Sequence, residues 1–297
     1  MIHTKDLKGV IPAIVTPFHE DGEMDRAGLR RLTRFLLDKG VHGIMTTGGN
    51  GEFPHLTREE KRIVTETVVK ETKGQVPVIA GTAACSTRET ILLSHDAEEA
   101  GADAVIVTPP YFYRLPEDSL FTHYALLANN LALPIIVYNN PLYTGHNLDP
   151  LLIDRLAGLD GVIGLKQSNA DMGQLVECIR KSGETISICT GIDSQFYPAL
   201  CAGAKGIFFT AACVIPEHMV RIYETFHEGN SQGAFEWHTR IQELNALFEY
   251  DPGYVAPCKE ALRLLALPGG PVRDPLPKLV SEEQLAVRAA LRNLGLI

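Results

Sequence analysis

The chain has 297 residues, 45% of them hydrophobic and 21% charged, which is ordinary globular composition and enough chain to bury a core without covalent staples. The formal net charge of −9 argues against nucleic acid or an anionic membrane surface as partner, while leaving room for an anionic small molecule, because a site's local field can oppose the global one. No signal architecture opens the sequence and no apolar run approaches the ~18 residues of a membrane span, so a cytoplasmic location is expected.

In chain order, a short apolar, β-branched run recurs eight times. Residues 10–15 are followed by helical periodicity over 26–39, residues 43–46 by 58–73, residues 77–81 by 87–100, residues 104–108 by 118–131, and residues 134–138 by 148–156. Runs at 162–166, 186–190 and 206–209 complete the set. Apolar strands that alternate with helices imply a parallel sheet buried on both faces. Eight such units predict an α/β fold of the (β/α)8 TIM-barrel type rather than an open, doubly wound sheet. Punctuation agrees: Gly101 and Gly203 stand where a helix must turn into a strand, Thr57 and Glu60 fit a capping box, and Asp149-Pro150 fits an N-cap followed by proline.

After Pro216 the strand pattern stops. Residues 216–228 read as the eighth barrel helix, and 231–250, 256–266 and 281–294 as a C-terminal helical subdomain introduced by Asp251-Pro252-Gly253. The expected organisation is a catalytic barrel over 1–228 and a helical extension of the same domain over 229–297. The six cysteines form no C-x-x-C pair and several lie in apolar stretches, so they read as free thiols of a reducing compartment.

In this fold the chemistry sits at the C-terminal ends of the strands. Lys166 closes the apolar run Val162-Ile163-Gly164-Leu165, where an ammonium is poorly solvated. Desolvation favours the neutral amine, the form that attacks a carbonyl to make an imine. A structural ion pair or a phosphate contact is the competing meaning. Tyr138 ends the preceding strand, about 5 Å away across one strand spacing, where a phenol can exchange protons with a carbonyl oxygen or simply pack in the core. The loop Gly48-Gly49-Asn50-Gly51 can present consecutive backbone N–H groups to an anion, or be a plain tight turn. It lacks the Lys-Ser/Thr of a P-loop. The histidines include no H-E-x-x-H and none falls at a strand end, and no G-x-S-x-G elbow occurs, so neither a metal site nor a hydrolytic triad is expected.

Taken together, Pro12-Ala13-Ile14-Val15-Thr16-Pro17-Phe18, the glycine-rich loop ending in Gly51-Glu52, Tyr138-Asn139-x-Pro141 and Gly164-x-Lys166 resemble the dihydrodipicolinate synthase/N-acetylneuraminate lyase family of class I aldolases over essentially the whole chain. The resemblance implies a homo-oligomer, a tetramer or a dimer, whose partner is a small 2-oxo acid and which uses no metal or organic cofactor. It assigns the imine to Lys166 and proton transfer to Tyr138. Gly49 and Asn50 would hold the substrate carboxylate, and Gly191 and Ile207 would line the pocket with backbone groups.

Three departures bear on the reaction. The family's two hydroxyl-bearing loop residues are Gly49 and Asn50 here, which leaves Thr46 or Thr47 to supply the hydroxyl. The synthase motif continues with an arginine that grips the carboxylate of the aldehyde substrate, whereas this chain reads Asn140-Pro141-Leu142-Tyr143-Thr144-Gly145, and neither Leu142 nor Tyr143 replaces a bidentate guanidinium. The aromatic expected to cross from a neighbouring subunit falls near Phe112, flanked by Tyr111 and Tyr113. The expected activity is therefore a Schiff-base lyase acting on pyruvate or a related 2-oxo acid, an aldolase or a sugar-acid dehydratase, with Ser168, Asn169, Asn140 and Asp193 bonding the distal half of the substrate. 4-Hydroxy-tetrahydrodipicolinate synthase stands second. The rivals from other classes are a non-catalytic barrel that binds oxo acids or sugar acids, and a barrel whose glycine-rich loop holds a phosphorylated ligand or flavin.

Overall fold

The structure, a computed structural model, describes residues 2–249 and 253–297. Eight parallel strands form a barrel: β1 (Gly9–Pro12), β2 (Ile44–Thr46), β3 (Val78–Gly81), β4 (Ala104–Val107), β5 (Ile135–Asn139), β6 (Val162–Gln167), β7 (Ser187–Thr190) and β8 (Gly206–Phe209). Adjacent strands pair in sequence order from β2 through β8, and β8 pairs with β1. Closure comes from a bridge between Ala13 and Met45, where Ile14 N donates to Met45 O at 3.0 Å. This crossing explains why β1 ends at Pro12 rather than at Val15. The chain leaves β8 there and turns across to β2.

Helices such as Arg26–Asp38, Arg58–Thr72 and Thr87–Glu99 cover the outside, each within a residue or two of its expected span. The Thr57–Glu60 capping box and the Asp149 cap ahead of Pro150 both form. The helix expected over 231–250 is two pieces, Ser231–Arg240 and Gln242–Phe248, separated at Ile241, with Tyr250 outside the described residues, as are Asp251 and Pro252 of the expected turn. Val255–Leu264 and Ser281–Asn293 follow. Their buried residues Cys258, Ala261, Leu262 and Leu291 share one apolar cluster with Val10, Leu29 and Leu32 of the barrel wall.

Side chains on a strand alternate between the two faces. Ile11, Met45, Ile79, Ile106, Ile136, Cys189 and Phe208 fill the barrel interior. Their strand neighbours pack outward against the helices. This parity decides which residues near the mouth can face a ligand.

Candidate active site

Tyr138 lies two residues beyond Ile136 and therefore points inward, and it packs against the interior cluster. Lys166 lies two residues beyond Gly164, the partner of Ile136. The two strands do not match one to one. Ile135 pairs with Val162 but Ile136 pairs with Gly164, so Ile163 is an extra residue in β6. A one-residue bulge shifts everything beyond it. It is this slip that makes Tyr138 the partner of Lys166; an unbulged β6 would present Leu165 there.

Lys166 is buried, 5% exposed, with Nζ 4.1 Å from the centre of the Tyr138 ring and 5.7 Å from that of Phe208. Burial alone would push the Tyr138 phenol up. The charge of Lys166, with hydrogen bonds from Lys166, Ser168 and Asn140, outweighs burial and holds the phenol below its ordinary value. Asn140 Nδ2 donates to the Tyr138 hydroxyl at 3.0 Å. The strand ends are tied by amides: Asn139 Nδ2 donates to Gln167 Oε1 at 3.0 Å, and Leu148 N donates to Asn139 Oδ1 at 3.0 Å. The pair is thus held by a rigid polar seam rather than by a loop.

A cavity of about 650 Å³ opens over this pair at the C-terminal mouth. Lys166, Tyr138, Gly49, Asn50 and Gly191 line it, as do Tyr143 and Ser168. Asn140, Asn169 and Asp193 join them. Thr47 and Ile207 do not. Thr47 is fully covered and its hydroxyl donates to Gly81 O at 2.9 Å, while the Thr46 hydroxyl is 3.2 Å from that of Thr65 on the outer helix. Neither threonine supplies the hydroxyl that the loop lacks. Ile207 precedes the inward Phe208 and so faces the helices, and the wall at this point is formed by residues 208–210. A second cavity of about 280 Å³ adjoins the first and takes in Tyr111, whereas Phe112 and Tyr113 stand 85% and 72% exposed.

The glycine-rich loop is anchored at several points. Asn50 Nδ2 donates to Ala13 O at 2.6 Å and the Thr16 hydroxyl to Gly51 O at 2.8 Å. Glu52, held at a left-handed φ of 59°, is buried against Lys259, with Nζ–Oε1 of 2.5 Å, and accepts from Arg273 N at 2.9 Å. Burial lowers the Lys259 ammonium and Glu52 opposes it. On the far wall, burial pushes the Asp193 carboxyl up to about 8, against a hydrogen bond from Ala211 N at 2.8 Å; the nearby Glu249 carboxylate adds to the rise. Glu249 is itself held by Ser194, through N at 2.6 Å and Oγ at 2.8 Å.

Sequence reasoning missed Glu249 and Tyr254, both of which line the main cavity. They arrive from the C-terminal helices, where no strand-end rule applies. The only signal is their nearness to the Asp251-Pro252-Gly253 turn signature.

An inward lysine in register with a tyrosine at the mouth of a (β/α)8 barrel defines a lyase of the class I aldolase type. The chain belongs to the dihydrodipicolinate synthetase family, whose model matches residues 6–294. It is 38% identical to a 4-hydroxy-tetrahydrodipicolinate synthase of Archaeoglobus fulgidus over 98% of this chain and 99% of that one. It is 36% identical to an uncharacterized DapA-like lyase of Halobacterium salinarum over 98% of this chain and 95% of that one. Among solved structures it superposes on YagE, a prophage protein of the same family from E. coli K12 in complex with pyruvate, with a TM-score of 0.94 and 28% identity over 98% and 99% of the two chains. The dihydrodipicolinate synthase of Thermotoga maritima gives a TM-score of 0.94 at 31% identity over 98% and 99%.

Proposed function

We propose that this protein activates pyruvate, or a closely related 2-oxo acid, as an imine on Lys166. The observation that carries the reading is the register pairing of Tyr138 with Lys166, with the ammonium 4.1 Å from the phenol ring beneath the open cavity at the barrel mouth. Lys166 gives its extra proton to the ionised Tyr138 and attacks the ketone as the neutral amine, and Tyr138 then returns that proton to the departing hydroxyl, which leaves as water. The protonated imine draws electrons from C3, so losing a C3 proton or cleaving the C3–C4 bond yields an enamine. That enamine adds to an aldehyde or, in reverse, releases one. The imine is the electron sink, so the chemistry needs no metal or organic cofactor. Gly49 and Asn50 hold the substrate carboxylate with loop N–H groups, and Gly191 and Ser168 line the opposite side.

The names of the relatives support one particular reaction, 4-hydroxy-tetrahydrodipicolinate synthesis, ahead of the catabolic lyase that the sequence puts first. That product carries two carboxylates, of which pyruvate brings one, so its aldehyde partner brings the other. The second reading, cleavage of a hydroxy-oxo acid or dehydration of a sugar acid, rests on the cavity wall. Among the described residues lining the cavity, Lys166 is the only lysine or arginine, and the distal side carries Asp193 and Glu249. Such a wall suits hydroxyl groups or an amine better than a second carboxylate.

The protein is incubated with pyruvate and borohydride, digested and weighed. A pyruvate-sized mass increase on the Lys166 peptide is expected. An unmodified lysine at saturating pyruvate would remove the imine and leave the binding barrel. Condensation and cleavage assays with aldehydes that do and do not bear a carboxylate then separate the two reactions. We further propose a cytoplasmic homo-oligomer, associated through the exposed Phe112 and Tyr113, which sedimentation of Phe112→Ser/Tyr113→Ser would test by a loss of assembly.

A further inference from the structure

A carboxylate lying against the glycine-rich loop has to be held by neutral donors. Among the described residues lining the cavity, Lys166 is the only lysine or arginine, and its nitrogen is the atom that reacts. The side chains in and around the loop are already committed. Asn50 Nδ2 donates to Ala13 O at 2.6 Å and the Thr16 hydroxyl to Gly51 O at 2.8 Å. The hydroxyls of Thr46 and Thr47 turn to Thr65 and to Gly81 O. Ser168, on the far side, is directed to Gly191 O at 3.2 Å.

Gly49 has no side chain, and a hydroxyl reaches its place from a distant part of the sequence. A Cβ built on Gly49 would stand 2.1 Å from the hydroxyl oxygen of Tyr254 and 3.4 Å from its Cζ. Apart from the chain neighbours Gly48 and Asn50, no other described residue has a heavy atom within 4 Å of that point, so neither Tyr143 nor Ser168 competes for it. A serine or threonine there would carry its hydroxyl one bond beyond the Cβ, close to where the phenol oxygen lies. Tyr254 lines the main cavity beside Gly49 and Asn50, and no hydrogen bond to a described residue engages its hydroxyl. Burial pushes this phenol well up, so the oxygen keeps its proton and can donate it in a hydrogen bond.

We infer that Tyr254 is a substrate-binding residue: its hydroxyl stands in for the side chain that Gly49 lacks and donates a hydrogen bond to the carboxylate of the 2-oxo acid. The inference rests on the reading of Lys166 as the imine-forming residue and on the loop as the carboxylate's seat. It adds no step to the reaction. The Tyr254 proton stays on its oxygen throughout, and the contribution is to affinity for the anion. One of the groups that grips the substrate therefore comes from the C-terminal helices, not from a barrel strand.

The test uses pyruvate without an aldehyde, so it does not depend on which second substrate the enzyme takes. The pyruvate concentration that gives half-maximal borohydride trapping at Lys166 is measured for the wild type, Tyr254→Phe and Gly49→Ser/Tyr254→Phe, with methyl pyruvate as the uncharged control. Tyr254→Phe keeps the ring and removes the oxygen, so a packing role would leave the titration untouched. The inference expects the half-saturating pyruvate concentration to rise by about 10-fold, the lower end for losing a hydrogen bond to a charged group, with the full adduct still formed at saturation. Methyl pyruvate has no carboxylate and should be trapped by this variant as by the wild type. In the double variant the serine carries the hydroxyl on the loop itself, and its Cβ meets the ring edge at 3.4 Å, an ordinary contact, so pyruvate affinity should return toward that of the wild type. Unchanged pyruvate affinity in Tyr254→Phe, an equal loss with methyl pyruvate, or a double variant no better than Tyr254→Phe overturns the inference and leaves the imine intact. Absence of a trapped adduct in the wild type overturns both.

Discussion

Gly191 and Lys166 lie too close for a side chain on the glycine: a Cβ there would collide first with Ser168 Oγ and then stand 2.6 Å from Cε and 3.1 Å from Cγ of the lysine. The glycine at the end of β7 lets the lysine stem lie straight across to Tyr138. Gly191→Ala is expected to push the Ser168 hydroxyl and the lysine stem aside by a fraction of an ångström, lowering turnover by about 10²-fold, the cost of a small misplacement at a reacting centre. Overpacking should cost roughly 1–3 kcal/mol of stability. Steady-state kinetics and denaturant unfolding would check both, and an alanine variant with normal kcat would show that the lysine has room to spare.

Tyr138→Phe should still form the trapped pyruvate adduct but turn over roughly 10²–10⁴ more slowly, the usual loss for a general acid or base. The environment of the phenol can be read directly. Because Lys166 offsets the effect of burial, a tyrosinate absorbance assigned by difference to Tyr138 should appear below the ordinary phenol range, and it should move upward in Lys166→Ala. Identical titrations in the two proteins would mean that the ammonium does not act on the phenol.

Asp193 should make stability depend on pH. Its carboxyl rises from 3.8 to about 8 on burial, so between these values the folded chain keeps a proton that the unfolded chain has released. Stability then falls as pH climbs through that interval and levels off beyond about 8. Asp193→Asn has no such proton to lose. Unfolding measured from pH 4 to pH 9 should show the wild type losing ground to the variant, and parallel curves would refute the raised carboxyl.

The Glu52–Lys259 pair is sealed from water, with side-chain exposures of 0% and 3%. Lys259→Met leaves a buried, uncompensated carboxylate, and about 3–5 kcal/mol of stability should be lost. Adding Glu52→Gln should restore part of it, because the charge is then gone. If the double variant is no better than the single, packing rather than charge explains the loss.

Most of this architecture is legible in the residue order. Eight β-branched runs separated by amphipathic helices leave few alternatives to a barrel, and Lys166 and Tyr138 announce themselves as polar residues closing apolar strands. The face each residue takes is harder to read. Strands buried on both sides carry no polar alternation, so nothing in Gly206–Phe209 says that Phe208 turns inward and Ile207 outward, and Thr46 and Thr47 are ambiguous for the same reason. The bulge at Ile163 sits beside Gly164, a residue type common at bulges, but nothing in the apolar run says that the register slips there. Tyr254 was hidden for another reason, since its contact with Gly49 spans more than two-thirds of the chain and follows no local period.

The clamp of Lys259 and Arg273 on Glu52 makes the last few dozen residues custodians of a loop that follows the second strand. If the tail lifts, the left-handed turn at Glu52 loses what holds it, and Tyr254 leaves its place above Gly49. Because the same helices bury Cys258, Ala261 and Leu262 against Val10, Leu29 and Leu32, a chain cut after the eighth strand would lose the loop's anchor and part of the barrel's own packing together.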